Sequence, residues 1–196
     1  GAGAEPVVCD SEPHSGNIDP AGARRALGRR TAAIIAPHMF GLPAEIEALA
    51  SLGVPCIEDC AMSIGANFMG RRLGSFGEIS ICSFYATKML AAGEGGMVLT
   101  DSEDLASTVR QLRGYDGAPA SRLRFNSKMT DMAAALGRVQ LARLPEFVAR
   151  RRALAALYDE AFAETSLETP LDSLQHIYYR YVVKTGQPAS KLIAEL

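Results

Sequence analysis

The sequence predicts an α/β protein in which a mostly parallel β-sheet lies between helices. Apolar runs of strand length alternate with segments of helical periodicity, beginning with the run at 31–36 and the helix-like segment at 43–52. The links between these segments are short, which favours right-handed crossovers between parallel strands. Ligands of such sheets bind beyond the carboxyl ends of the strands, so polar residues that follow a strand are the first candidates for a site.

The first half of the chain carries clear helix boundaries. Asp19 is a suitable N-cap and Pro20 is suited to the first helical position, while Gly53 is a typical helix stop. In order, we expect a strand at 6–10, a helix from Pro20, a strand at 31–36 that is buried on both faces, a helix at 43–52 and a strand at 54–57.

The second half continues the alternation and then leaves the parallel sheet. In order, we expect strands at 79–84 and 97–100, a helix capped by Thr100 or Asp101, a helix whose apolar stripe is Met132, Leu136 and Val139, a further helix opened by Pro145, a strand at 177–184 and a helix beginning at 191–196. The run Arg150–Arg152 is predicted to be a solvated helix face. We place a large domain at 1–149 and the beginning of a smaller α/β domain at 150–196.

Composition narrows the class of protein. A net charge of −2 gives no basic excess that would favour nucleic acid or an anionic membrane surface, so we expect neither as a partner. No apolar run reaches the length of a membrane span, and we expect a cytoplasmic location. The four cysteines lack the paired spacing of zinc sites, so we interpret them as free and mostly buried thiols and expect no metal.

Lys88 is the most informative single residue. It follows the apolar run 79–84 and precedes the glycine-rich stretch 93–96. A lysine next to buried sequence needs a reason, because burial of its charge is unfavourable without a compensating group. A desolvated neutral amine can attack a carbonyl to form a Schiff base. The alternative is an exposed loop lysine that makes a surface ion pair.

Asp59 is the second candidate. The strand-like run 54–57 is followed by two acidic residues, and Asp59 is the second of them. A carboxylate at this position would lie at the carboxyl end of a parallel strand. A lysine Schiff base together with an acidic partner for a pyridinium nitrogen is typical of pyridoxal phosphate enzymes. The alternative is that Asp59 caps the next helix. Glu58, by strand alternation, should point the other way.

An ordered series of motifs resembles the DegT/StrS-type aminotransferases, which are pyridoxal phosphate enzymes. The motifs are Gly3–Val7, Ala36–Gly41, Asp59–Ala61, Gly65–Ala66, Gly74–Gly77, Ser83–Tyr85 with Lys88, Glu94–Gly96, Phe125–Asp131 and Gln140–Leu141. The resemblance implies the large domain of a fold-type I transferase. Because members of the family are longer at both ends, it also implies that an N-terminal segment and the C-terminal end are missing from this sequence.

The resemblance assigns roles to individual residues. It implies that Lys88 and Asp59 are catalytic and cofactor-binding, and that Ser83 contacts the cofactor phosphate. Asn126 would reach the partner subunit's cofactor phosphate in a homodimer. Met62 lies where the family usually has Gln or His beside the cofactor's ring oxygen, and it cannot donate that hydrogen bond. The local alternatives are a strand-edge serine for Ser83 and a turn residue for Asn126.

Two other positions belong to the same comparison. Lys128 replaces a common Arg, and the change removes bidentate recognition of an anion. His38 matches a family histidine and lies either near the site or in the core as a satisfied histidine.

The implied function is transfer of an amino group from an amino acid, glutamate by the resemblance, to a keto-sugar nucleotide. We expect pyridoxal 5'-phosphate as cofactor and a homodimer as the assembly. Three alternatives stay open: a sugar dehydratase, a catalytically weak or regulatory cofactor-binding relative, and a truncated product without activity. The family's dehydratases replace the Schiff-base lysine with His, so Lys88 argues against the first. Met62 is the best support for the second.

Overall fold

A computed structural model describes residues 3–114, 125–171 and 173–195. In chain order the elements are α1 (Pro20–Ala26), β1 (Ile34–Pro37), α2 (Ile46–Ala50), β2 (Cys56–Asp59), β3 (Asn67–Phe68), β4 (Arg71–Arg72), β5 (Ile79–Ser83), β6 (Gly96–Leu99), α3 (Glu103–Leu112), α4 (Asp131–Phe162) and α5 (Ala189–Glu195).

The main sheet has four strands in the order β1-β2-β5-β6, and β3 and β4 form a separate antiparallel hairpin. β1, β2 and β5 run parallel, whereas β6 is antiparallel to β5. The predicted fold class is therefore confirmed. The carboxyl ends of β2 and β5 are neighbours, because Asp59 lies opposite Ile81 in the parallel register.

Local sequence signals set the first helix as expected. The Asp19 side chain accepts hydrogen bonds from the backbone N–H groups of Ala21 and Gly22, and Pro20 occupies the first helical position. The cap of α3 was predicted wrongly. Ser102, not Thr100 or Asp101, accepts from the Leu105 N–H, because Thr100 is engaged with the carbonyl of Glu78.

Two strand predictions in the first half need correction. The predicted strand at 6–10 does not form, and Val7 and Val8 are exposed. β1 buries Ile34 and Ala36, but Ile35 on its other face is 63% exposed, so the strand is not buried on both faces. In the described part of the chain, no helix covers that second face of β1.

Pro145 does not open a new helix. α4 continues through it as one helix of 32 residues. Proline removes one intrahelical hydrogen bond and costs about 3 kcal/mol in a helix interior. On either side of it, Leu144 and Val148 are buried against Ala66 and Met89, and this packing favours the continuous helix. The boundary that we placed between residues 149 and 150 falls inside α4, and the domain division stays a prediction.

The segment that was predicted as a strand at 177–184 is irregular. Among the residues that the structure describes, its one strand-like contact is an isolated bridge between Lys184 and Glu168. Ile177 and Tyr179 are buried with Leu144 and Val148. The backbone cannot form a ladder here because its groups bond elsewhere in the described structure: the Ile177 N–H donates to the Gly41 carbonyl at 3.0 Å.

The predicted solvated face at Arg150–Arg152 is only partly correct. Arg150 is exposed, but Arg151 donates to the carbonyls of Tyr178 and Tyr179, and Arg152 donates to those of His176 and Leu174. Guanidinium groups can satisfy several carbonyls at once because their donors form a fixed fork. These two side chains fasten the irregular segment to α4.

Glu58, in the central strand β2, joins the strand to the 74–77 turn and to His38. Its carboxylate is fully buried and accepts hydrogen bonds from the N–H groups of Gly74, Phe76 and Gly77 at 2.6–2.8 Å and from the ring of His38 at 3.3 Å. A Cβ at Gly77 would lie 2.4 Å from the carbonyl oxygen of Cys56, so only glycine permits this approach. The 74–77 turn is thereby bound to β2.

Across the described residues, no helix is both long and apolar enough to cross a bilayer. The cytoplasmic location stays a prediction.

We expect Glu58→Gln to lower the free energy of unfolding by about 2–4 kcal/mol, because the amide NH₂ would face N–H donors in a buried site. Burial alone would raise the pKa of Glu58, but the hydrogen bonds from His38 and the three backbone groups outweigh burial and lower it. A carboxyl with a lowered folded pKa stabilises the protein above its unfolded value, 4.5, and loses that contribution as the pH falls through the folded pKa.

Urea unfolding at several pH values measures both effects. The matched control is Glu47→Gln, the same change at an exposed position of α2, which should alter stability by less than about 0.5 kcal/mol. Equal stability of the two variants would contradict the role given to Glu58.

Candidate active site

The candidate residues gather at the carboxyl ends of two adjacent strands. Asp59 ends β2, and Ser83 ends the neighbouring β5. The Cys60 N–H donates to the carbonyl of Ile81 at 2.9 Å, which extends the pairing of the two strands past Asp59. Asp59 and Ser83 are both half-buried. This edge is where a ligand of a parallel sheet is expected.

Lys88 lies in the loop that leaves β5 at this edge. The loop is closed at its base by two backbone hydrogen bonds: the Phe84 N–H donates to the Gly95 carbonyl at 2.9 Å, and the Ala92 N–H donates to the Phe84 carbonyl at 2.8 Å. Met89, next to Lys88, is buried and anchors the loop in the core. Lys88 itself is half-buried, which makes it unlike a solvated loop lysine.

The polar groups at this edge retain capacity for a ligand. One oxygen of Asp59 accepts from the Ala61 N–H at 2.9 Å, and no group of the described residues donates to the other oxygen. Ser83 accepts only a long bond of 3.4 Å from the Tyr85 N–H. Within the same described ranges, no carboxylate pairs with the Lys88 amine. An amine, a carboxylate oxygen and a hydroxyl therefore remain available, and this donor set fits pyridoxal phosphate.

Met62 and Asn126 have different surroundings. Met62 packs partly buried against the cluster that contains Met89 and Tyr179. Asn126 is exposed and follows Phe125, whose N–H donates to the carbonyl of Leu112 at the end of α3. In the described part of the chain it makes no hydrogen bond to the other four candidates. The roles assigned to these two residues stay predictions.

His38 is a core histidine. Its Nδ1 accepts the Ala44 N–H at 3.0 Å, so Nε2 carries the proton and donates to Glu58. The donor atoms of His38, Glu58 and Cys60 lie within 4.8 Å of one another, a spacing that a metal could bridge. Both imidazole nitrogens and the carboxylate are already engaged, however, and a ligating imidazole must be unprotonated at the bound nitrogen. Because His38 and Glu58 bond to each other and to backbone N–H groups, the three side chains do not fit a metal site.

All four cysteines are free thiols, as expected, and Cys56 and Cys60 are buried. Burial, reinforced by neighbouring carboxylates, raises the pKa of Cys56 and of Cys82 to about 11. Burial also raises the pKa of Cys60 strongly, with the nearby Cys82 as the next cause. Because the thiolate is the reactive form, burial disfavours Cys56, Cys60 and Cys82 as nucleophiles near neutral pH.

The sequence interpretation missed a group of residues from the irregular segment. Tyr179 is 6% exposed, and its ring centroid lies 5.3 Å from the Lys88 Nζ. His176 is 2% exposed, and its Nδ1 accepts the Tyr178 N–H at 3.0 Å. No local motif indicates this approach, because it depends on the long-range contact between the segment and the turn at 39–41.

The sequence model of the DegT/DnrJ/EryC1/StrS aminotransferase family matches residues 1–196. GDP-perosamine synthase of Caulobacter vibrioides is 32% identical over 201 residues, which cover 96% of this chain and 54% of that protein. The pleiotropic regulatory protein of Geobacillus stearothermophilus is 35% identical over 196 residues, which cover 93% of this chain and 53% of that protein.

The crystal structure of DesV from S. venezuelae, in complex with a ketimine intermediate, is similar with a TM-score of 0.89 and 32% identity. The match covers 98% of this chain and 56% of that one, and it confirms the expected transferase fold. The chain spans about half the length of the curated relatives it matches.

We expect His176 to remain neutral throughout the physiological range. Burial lowers its pKa from 6.5 to about 4, opposed by a hydrogen bond with the Gly41 backbone and reinforced by the charge of Arg152. A base with a lowered folded pKa stabilises the protein above its unfolded pKa, and this contribution is lost as the pH falls from about 6.5 to about 4. An NMR titration of the imidazole, with free imidazole as reference, measures the midpoint. A midpoint at the reference value would contradict the burial described above.

Proposed function

Because the chain belongs to the DegT/DnrJ/EryC1/StrS aminotransferase family, we propose that it is part of a pyridoxal-phosphate-dependent aminotransferase that acts on a nucleotide-linked keto-sugar. The observation that most directly supports this proposal is the common edge of β2 and β5. Asp59 and Ser83 end those two strands, and Lys88 follows in the next loop with no carboxylate partner among the described residues.

The proposed substrates are an amino acid, glutamate, as amino donor and a keto-sugar nucleotide as acceptor. Similarity to GDP-perosamine synthase supports a nucleotide-linked sugar as the acceptor class. The similarity to a pleiotropic regulatory protein agrees with the regulatory alternative in name, but the half-buried Lys88 and the uncommitted oxygen of Asp59 favour the enzyme.

Each residue has a definite task in this proposal. Lys88 would hold the cofactor through its amine and would move a proton at the reacting carbon. Asp59 keeps a proton on the pyridine nitrogen through its free oxygen, since a nearby carboxylate favours the protonated cation. Ser83 donates its hydroxyl hydrogen to a phosphate oxygen. When bound, pyridoxal phosphate would supply an aldehyde carbon that takes up the amino group, with its oxygen leaving as water, and a ring that accepts electrons.

The remaining assignments belong to the assembled protein. Asn126, which is exposed, is proposed to contact the partner subunit's cofactor phosphate across a homodimer interface. Met62 is proposed to lie beside the cofactor, where it would donate no hydrogen bond to the ring oxygen. Residues 1–149 are proposed as the cofactor-binding large domain and residues 150–196 as the beginning of the small domain.

Lys88→Ala should abolish covalent attachment of the cofactor, because the proposal assigns the attachment to the Lys88 amine. The measurement is borohydride reduction after addition of pyridoxal phosphate, followed by peptide mapping. Lys191→Ala is the matched control, since Lys191 lies exposed on α5. Covalent attachment that persists in Lys88→Ala would contradict the assignment of Lys88 as the attachment residue.

Asp59→Asn should keep the covalent attachment but lower amino transfer from glutamate by about a hundredfold or more, because the amide cannot hold the pyridine nitrogen protonated. The transfer is followed as 2-oxoglutarate formation with a keto-sugar nucleotide as acceptor. The matched control is Asp104→Asn, the same change at an exposed position of α3. Turnover that is equal in the two variants would contradict the role of Asp59.

A further inference from the structure

Tyr179 contacts the loop of Lys88 at two consecutive residues. Its ring centroid lies 5.3 Å from the Lys88 Nζ, within the range of a cation–π contact. Its hydroxyl faces the side chain of Thr87, the residue before Lys88. The tyrosine therefore lies against both the amine of Lys88 and the side chain of the preceding residue.

The position of Tyr179 is itself firmly set. The Arg151 guanidinium donates to its carbonyl at 3.0 Å. Its backbone passes directly over Gly41, which has a φ of +94°, and a Cβ at that glycine would lie 2.8 Å from the Tyr179 nitrogen. The Arg180 N–H donates to the carbonyl of Phe40 at 3.2 Å and closes the contact on the other side. A buried ring fixed in this way can restrain a neighbour that is flexible by itself.

Two cationic side chains, Lys88 and Arg180, lie close to the Tyr179 ring. The Arg180 guanidinium carbon lies 5.6 Å from the ring centroid, so the ring has a second cation nearby. Burial alone would raise the pKa of Tyr179, but the hydrogen bond with Thr87 and the charges of Lys88 and Arg180 outweigh burial and lower it. The hydroxyl and the ring of Tyr179 thus both interact with side chains of the Lys88 loop.

We propose that Tyr179 is a positioning residue for Lys88, which covers the amine with its ring and restrains the lysine stem so that the amine is directed to the cofactor site. A lysine carries four flexible carbons, and ordering such a side chain costs conformational entropy when nothing restrains it beforehand. The inference rests on the proposed function, because Lys88 is the attachment residue only within that proposal. It adds a residue that is remote in sequence and that acts only through Lys88.

The test compares two aldehyde probes on the wild type, Tyr179→Leu, Tyr179→Phe and Thr87→Val. Formaldehyde with cyanoborohydride is small and undirected, so it reports how far the Lys88 amine is covered. Pyridoxal phosphate with borohydride reports directed attachment. Rates are taken from the high-pH limit of each pH profile, where amine ionisation has no further effect. Labelling of Lys191 in the same molecule is the internal control, and thermal unfolding checks the fold.

For Tyr179→Leu we expect formaldehyde to label Lys88 at least about twofold faster, and pyridoxal phosphate to attach about three- to tenfold more slowly. Opposite changes with the two probes are not produced by general loosening of the fold, which would also change Lys191. Tyr179→Phe and Thr87→Val retain the ring but remove the contact between the two hydroxyls. Each should therefore label faster with formaldehyde and attach pyridoxal phosphate more slowly, and each change should be about half as large, on a logarithmic scale, as in Tyr179→Leu.

The two proposals fail in different ways. If pyridoxal phosphate does not attach to Lys88 in the wild type, the proposed function fails, and formaldehyde labelling still decides whether Tyr179 covers the amine. If Lys88 reacts with formaldehyde at the wild-type rate in all three variants, the positioning role is overturned. Thr87 is exposed, so Thr87→Val keeps this decision available if neither Tyr179 variant folds.

Discussion

The buried carboxylate of Glu58 is the interaction on which the site depends. It accepts four hydrogen bonds, three from the backbone of the 74–77 turn and one from His38 at the end of β1. An isolated buried carboxylate would be strongly unfavourable, so each of these donors is needed for the ion to exist there. Because Glu58 and Asp59 are consecutive in β2, fixing the first toward the core presents the second at the opposite face of the strand.

A second constraint comes from the corner at residues 39–41. Phe40 and Gly41 have positive φ values of 57° and 94°, and their carbonyls accept N–H groups from the segment around Tyr179. Positive φ is unfavourable for a phenylalanine, so the conformation persists because its contacts over-determine it. Arg151, reaching from α4, holds the segment from the other side. Three distant parts of the chain therefore meet beside the loop of Lys88.

Burial separates the side chains that serve packing from those that can contact a ligand. Burial shifts the pKa values of Cys56, Cys82 and His176 toward their neutral forms, and His38 has its Nδ1 lone pair engaged, so these side chains contribute to packing and hydrogen bonding. At the edge of β2 and β5, as far as the structure describes the chain, the amine of Lys88, one oxygen of Asp59 and the hydroxyl of Ser83 stay available, and all three residues are half-buried. Pyridoxal phosphate requires an amine, a carboxylate and a hydroxyl that can bind its phosphate, and this edge offers all three. The family to which the chain belongs indicates the same cofactor.

The sequence by itself determined the α/β class, the strands that carry Asp59 and Ser83, and the candidate lysine. Those signals are local: apolar runs of strand length, caps such as Asp19, and an ordered series of family motifs. The tertiary structure alone decided that α4 continues through Pro145, that Ile35 is exposed, and that the predicted strand at 177–184 is an irregular segment. Each of these depends on partners far away in the chain. The burial of Leu144 and Val148 outweighs a proline's preference, and hydrogen bonds to Gly41 replace a strand ladder, so neither outcome is encoded in the local pattern.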